Sequence, residues 1–136
     1  MKRISLLALF FCLVLAACAA SDETEADREN GEPVEGAEEI IALTEEFISA
    51  LAKGEFETAT QHFDETMKKE LPPEKLAQLW ADLESQLGPF AEQRYDRTEE
   101  QGGYRLVLMD GSFEQADVVF QVTFDGQNRI AGFFIR

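Results

Sequence analysis

The chain has 136 residues, 12 of them Lys or Arg and 27 Asp or Glu, giving a formal net charge of −15. That length holds one domain once extended ends are set aside. The acidic balance excludes nucleic acid as a partner, because phosphate binding needs clustered cations, and it speaks for solubility rather than for a site.

Lys2 and Arg3 head a charge-free apolar run, Ile4 to Ala17, with small residues ahead of Cys18. This is the layout of a secretory signal peptide over residues 1–17. Leu15-Ala16-Ala17-Cys18 resembles the bacterial lipobox, at which the cysteine is acylated and the chain is cut before it. Cys12 is the rival, but Phe10 and Phe11 stand where the peptidase takes small residues. An uncleaved anchor is the alternative, since Ile4 to Ala20 lies at the short edge of the spanning range. The lipobox resemblance implies a lipidated Cys18 at the new N-terminus and a domain outside the cytoplasm, held to the cell membrane or the outer membrane. Ala19 and Ala20 follow, and the absence of an Asp beside the cysteine favours outer-membrane sorting where a cell has that membrane. Cleavage takes Lys2 and Arg3 from the 12 basic residues, leaving 10 against 27 acidic ones and a formal −17. With Cys12 gone and Cys18 acylated, no disulfide is expected, and the domain must stand on its core alone.

Residues 18–36 hold the cysteine and an acidic linker. Asp22, Glu23, Glu25, Asp27, Glu29, Glu32 and Glu35 face a single base, Arg28, and Asn30-Gly31-Glu32-Pro33 breaks any helix. Like charge and low hydrophobicity predict an extended, disordered tether.

The domain is expected over residues 37–136. Ala37 to Lys53 reads as a helix, with Ile40, Leu43, Phe47 and Leu51 at three- and four-residue spacing and Ile41 and Ile48 widening the stripe. Gly54 stops it. A shorter helix follows over Glu55 to Phe63, with Phe56, Ala59 and Phe63 on one side. Asp64 is placed to cap a brief third helix, Glu65 to Leu71. Pro72-Pro73 ends that helix and opens the next, Glu74 to Leu87, where Leu76, Leu79, Trp80, Leu83 and Leu87 form a continuous stripe before Gly88-Pro89. Trp80 is the only tryptophan and reads as a plug between helix and sheet.

From Phe90 the period changes to two. Phe90 to Thr98 is a polar strand suited to an edge, and Gln101-Gly102-Gly103 turns the chain into a second strand from Tyr104. The next reversal has two readings, Asp110-Gly111 or Glu114 to Ala116. Asp117 to Phe124 then alternates strictly, with Val118, Phe120, Val122 and Phe124 on one face. Asp125 to Asn128 is a tight turn, and Arg129 to Arg136 the last strand.

Helices followed by a curved meander resemble the nuclear transport factor 2-like cone fold. The run Lys53-Gly-Glu-Phe-Glu-Thr-Ala59, Phe63-Asp64, Met67, Leu71-Pro72, Leu76, Trp80, Leu87-Gly88-Pro89-Phe90, Val122-Thr-Phe-Asp125 and Ile130-Ala-Gly-Phe-Phe-Ile135 resembles the domain-of-unknown-function 3887 family. That family occurs in bacterial lipoproteins and ahead of α/β-hydrolase domains. The likeness covers Ala37 to Arg136 and implies an α+β fold, N-terminal helices packed on a curved antiparallel sheet of about four strands. It also favours the later turn, since a Phe-Glu pair often precedes that turn in the family, as Phe113-Glu114 does here.

Chemistry is thinly represented. No G-x-S-x-G elbow occurs, and the lone His62 has no cysteine beside it, so neither metal nor cofactor is expected and no residue is assigned a catalytic role. Three functional readings remain. The leading one is a tethered binding module whose apolar mouth is lined by Phe47, Phe56, Phe63, Trp80, Phe120 and Phe134, for a small apolar ligand or an envelope protein. The second is an interaction subunit with a filled cone, presenting Val119, Phe133 and Ile135 on the outer sheet face. The third is a cone-fold enzyme using His62, Asp64, Tyr95 or Tyr104, which needs an acid or His buried in the pocket. Oligomeric state stays open.

Overall fold

In the computed structural model, residues 36–136 are described; the leader, Cys18 and the acidic linker up to residue 35 lie outside them. Helix α1 (Ala37–Lys53) turns Ile40, Thr44, Phe47, Ile48, Ala50 and Leu51 inward. Thr44 is the polar member of that face, and its hydroxyl donates to the Ile40 carbonyl at 2.7 Å, so nothing polar is stranded. Gly54 ends α1 in the left-handed conformation at φ 76°, its N–H bonding back to Leu51 O at 3.1 Å.

The second helix is shorter than its apolar spacing predicts. Helix α2 (Phe56–Ala59) passes into a 3-10 turn, Thr60–His62, and Phe63 is already extended at φ −70°, ψ 145°. Phe63 leaves the helix because it bridges Ile130, and the next N–H, that of Asp64, donates to Ile130 O at 2.9 Å. Asp64 then caps α3 (Glu65–Glu70), accepting the Met67 N–H at 2.7 Å. Helix α4 (Pro73–Leu87) starts with Pro73 in its first turn and ends at Gly88, and it buries Leu76 and Trp80.

Four strands follow as an antiparallel meander in the order β1-β2-β3-β4: β1 (Phe90–Gln101), β2 (Tyr104–Phe113), β3 (Asp117–Phe124) and β4 (Ile130–Ile135). The fold is α+β, with helices over one face of an open sheet. Strand β2 runs through Asp110-Gly111, and the chain reverses at Glu114 to Ala116, where Phe113 N–H donates to Ala116 O at 2.9 Å. Strand β1 is an edge strand, polar along its length and bulged at two points. Gln93 ties it to α1, donating at 3.0 Å to both Glu45 O and Ser49 Oγ.

The inner face of the sheet carries Val107, Met109, Phe113, Phe120, Val122, Phe124 and Ile130, all buried against the helices. Trp80 fills the centre, as the helix stripe predicts. Its ring lies 5.5 Å from Phe90, 5.7 Å from Phe113 and 6.1 Å from Phe120. These are offset and edge-on spacings that favour aromatic packing.

Strand β4 corrects one expectation. Strict alternation along it puts Phe134 inside and Phe133 and Ile135 outside; the structure has the reverse. Ile130 pairs with Phe124 and Phe133 with Val122, so β4 spends three residues where β3 spends two. This irregularity flips the phase of everything after it. Phe133 and Ile135 join the inner face, with Phe133 4.9 Å from Phe47 and 6.1 Å from Phe120. Phe134 emerges on the outer face, 59% exposed.

Candidate functional site

Of the six aromatic residues expected around a mouth, Phe47, Phe63, Trp80 and Phe120 form the buried core and pack on one another, and Phe56 leans on that core half-buried. Phe47 and Phe63 are 5.7 Å apart, and Trp80 and Phe120 are stacked. Phe134 stands apart from them on the outer face.

The apolar hollow lies elsewhere, between α4 and the free edge of β4. It is a groove of about 660 Å³ with Leu79 and Leu83 on the helix side and Phe133, Phe134 and Ile135 on the strand side. Lys75 and Asp82 sit on its helical wall. They lie seven residues apart, two helical turns, and so share one face of α4.

The backbone of β4 decides what this groove offers. Arg136 and Val119 exchange both hydrogen bonds, N–H to O at 3.1 and 2.7 Å. Along an antiparallel pair such residues alternate with residues whose N–H and C=O point the other way. Phe134, opposite Gln121, therefore turns its backbone groups to β3, while Phe133 and Ile135 direct theirs out of the sheet into the groove. Among the described residues none of these four groups has a backbone partner. At the other end of the strand the edge is closed, because Asp64 N–H occupies the Ile130 carbonyl. Leu79 and Leu83 belong to the continuous apolar stripe of α4, of which Leu76 and Trp80 are the buried members. The one local sign of the phase change is Gly132, on the outer face beneath Phe134, where a β-carbon would stand 3.2 Å from the Phe134 ring.

Two other hollows are polar. One, of about 440 Å³, lies on the outer face among Glu92, Arg94, Asp110, Asp117 and Arg136. Arg94 bonds Asp110 there at 2.8 Å, and this partner raises its pKa above the usual arginine value. The other, of about 680 Å³, lies between the β1–β2 and β3–β4 turns, beside Tyr104, Arg105 and Asn128.

The residues considered for catalysis are dispersed. Asp64 is a helix cap, and His62 closes the 3-10 turn. Tyr95 and Tyr104 are exposed, the former sharing a hydrogen bond with Thr98 at 3.0 Å. Among the described residues the buried polar side chains are Thr44 and Thr60, and no three His, Cys, Asp or Glu gather as metal ligands.

Residues 44–133 match the family model described as "Protein of unknown function (DUF3887)". The chain belongs to this family. The DUF3887 match runs from the middle of α1 into β4, so it takes in the helical wall of the groove and reaches Phe133 on the strand wall. No curated protein and no solved structure matches the DUF3887 chain.

Proposed function

We propose that the protein is a membrane-tethered extracytoplasmic binding module without catalytic chemistry, hung from an acylated Cys18 by its acidic linker and taking a partner along the groove between α4 and β4. The sheet with its covering helices is read as a nuclear transport factor 2-like cone whose interior is filled by its own aromatic residues. One observation carries the reading: an apolar groove runs beside a strand edge whose hydrogen-bonding groups at Phe133 and Ile135 are unpaired among the described residues. A groove of this shape offers a chain segment both backbone partners and apolar pockets, the two components of recognition by strand addition.

Native mass spectrometry of the detergent-extracted protein tests it. A bound species retained by the wild-type chain and released by Leu83→Asp, which places a charge in the groove wall, is the expected result. An empty wild-type chain sinks the binding role. The same spectra report the anchor: the N-terminal fragment should begin at Cys18 and carry acyl chains, and a fragment beginning at Met1 overturns the acyl anchor in favour of the uncleaved one.

A further inference from the structure

The two edges of this sheet are managed in opposite ways. Strand β1 presents Glu92, Arg94, Asp96, Arg97, Glu99 and Glu100 and two bulges, devices that discourage another strand from pairing. Strand β4 carries no charge and no proline from Ile130 to Ile135. Its irregularity lies at the end already closed by Asp64. The open stretch, Phe133 to Ile135, is short and apolar, with one large side chain 59% exposed.

We propose that the occupant of this edge is a second copy of the chain, joined β4 to β4 in antiparallel sense about a two-fold axis through Phe134. The inference rests on the reading of the α4–β4 groove as the binding site and names its partner. The register follows from the backbone. With Phe134 opposite Phe134 of the second copy, each Phe133 faces the other copy's Ile135, and all four outward N–H and C=O groups of these residues are satisfied in each chain. The axial pair is then a non-hydrogen-bonded one, the type in which side chains approach most closely. Two exposed Phe134 rings would cover each other. Beside them Arg136 would stand across from Gly132, which has no side chain to oppose it, and no Arg136 would face its own copy. On the inner face Phe133 would meet Ile135, so the two cores would run together.

Charge agrees with this. Copies of a chain carrying −15 repel one another. The groove adds nothing to that repulsion, because its walls carry one Lys75 and one Asp82 and no net charge. A two-fold reverses one helix relative to the other, so neither copy presents a block of like charge.

The test is disulfide trapping in the full chain, in membranes and after detergent extraction. Phe134→Cys puts two thiols at the axis, where the α-carbons of a non-hydrogen-bonded pair lie about 4.5 Å apart, within disulfide reach. Mild oxidation should convert this variant to a covalent dimer, while the wild-type chain and Val119→Cys, one strand away on the same face, stay at background. Ile135→Pro removes an N–H that makes no bond to β3, so it should abolish the dimer mass in solution and leave Trp80 emission unchanged. Equal trapping at Val119 and Phe134, or a dimer that survives Ile135→Pro, overturns the proposal. A monomer whose groove holds a different protein or a small molecule overturns the second copy but leaves the binding module standing. A monomer with nothing bound overturns both.

Discussion

Phe120 lies directly against Gly111: a β-carbon built on that glycine would sit 2.2 Å from one ring carbon and 2.9 Å from two others. Gly111 lies within β2, and it is a glycine there because the Phe120 ring of the neighbouring strand occupies the space of a side chain. Phe120 cannot move away easily, since Trp80, Phe90, Phe113 and Phe133 surround it. Gly111→Ala should therefore destabilise the fold by about 1–3 kcal/mol, the usual cost of overpacking. In a domain of this size each kcal/mol lowers the melting temperature by roughly 4–8 °C. Thermal unfolding followed by circular dichroism measures it, and an unchanged midpoint would show that the ring has somewhere else to go.

Asp64 holds two structures together by different atoms. Its carboxylate caps α3 at Met67 N–H, and its own N–H closes one end of the β4 edge at Ile130 O. Asp64→Ala removes only the first, so the expected loss is about 1 kcal/mol, that of an N-cap. Asp64→Asn keeps an acceptor and should recover most of it. Urea unfolding of the three proteins tests this; equal midpoints would mean that the cap contributes nothing to global stability.

The helix stripes, the polar edge strand and the Trp80 plug were legible because each is a local period seen against one partner. Phe113-Glu114 also marked the reversal between β2 and β3 correctly. Two features were hidden for a common reason. Phe63 abandons its helix to pair with Ile130, and β4 changes phase at Ala131, and both depend on a strand register set by distant residues. The periodicity of Arg129 to Arg136 fits either phase, since apolar residues occupy both. The groove was hidden more deeply: Leu79 and Leu83 look like core until β4 is seen to leave its edge open beside them.

The β3–β4 turn should make the domain sensitive to acid. Burial by itself would raise the Asp125 carboxyl, but the N–H groups of Arg129 and Gln127 and the Arg129 side chain outweigh it and hold the group below the usual carboxylate range. A carboxyl with a lower pKa in the folded chain stabilises that chain fully above its unfolded value, about 3.9, and loses this contribution as pH falls through the folded value. Asp125→Asn keeps an acceptor oxygen but has no proton to gain. The wild-type advantage over Asp125→Asn should be full at pH 6 and shrink below about pH 4. Urea midpoints of both proteins across that range check it, and a gap that stays constant contradicts the mechanism.

The adjacent residues Phe133 and Phe134 provide the sharpest check on the strand register. Phe133 packs its ring 4.9 Å from Phe47, so Phe133→Ala opens a cavity beside buried aromatic residues. The expected cost is about 2–4 kcal/mol, somewhat under that of a fully buried phenylalanine because Phe133 is only half-buried. Phe134→Ala removes a ring that is 59% exposed and covers only Gly132 and its surroundings. Away from a core contact such a change stays within about 0.5 kcal/mol. Strict alternation along β4 would reverse the two effects, so equal or inverted losses would reject the observed phase. Protein concentration adds a second axis to the same experiment. If copies join at Phe134, wild-type stability rises with concentration by mass action, and Phe134→Ala flattens that dependence without altering the stability of the monomer.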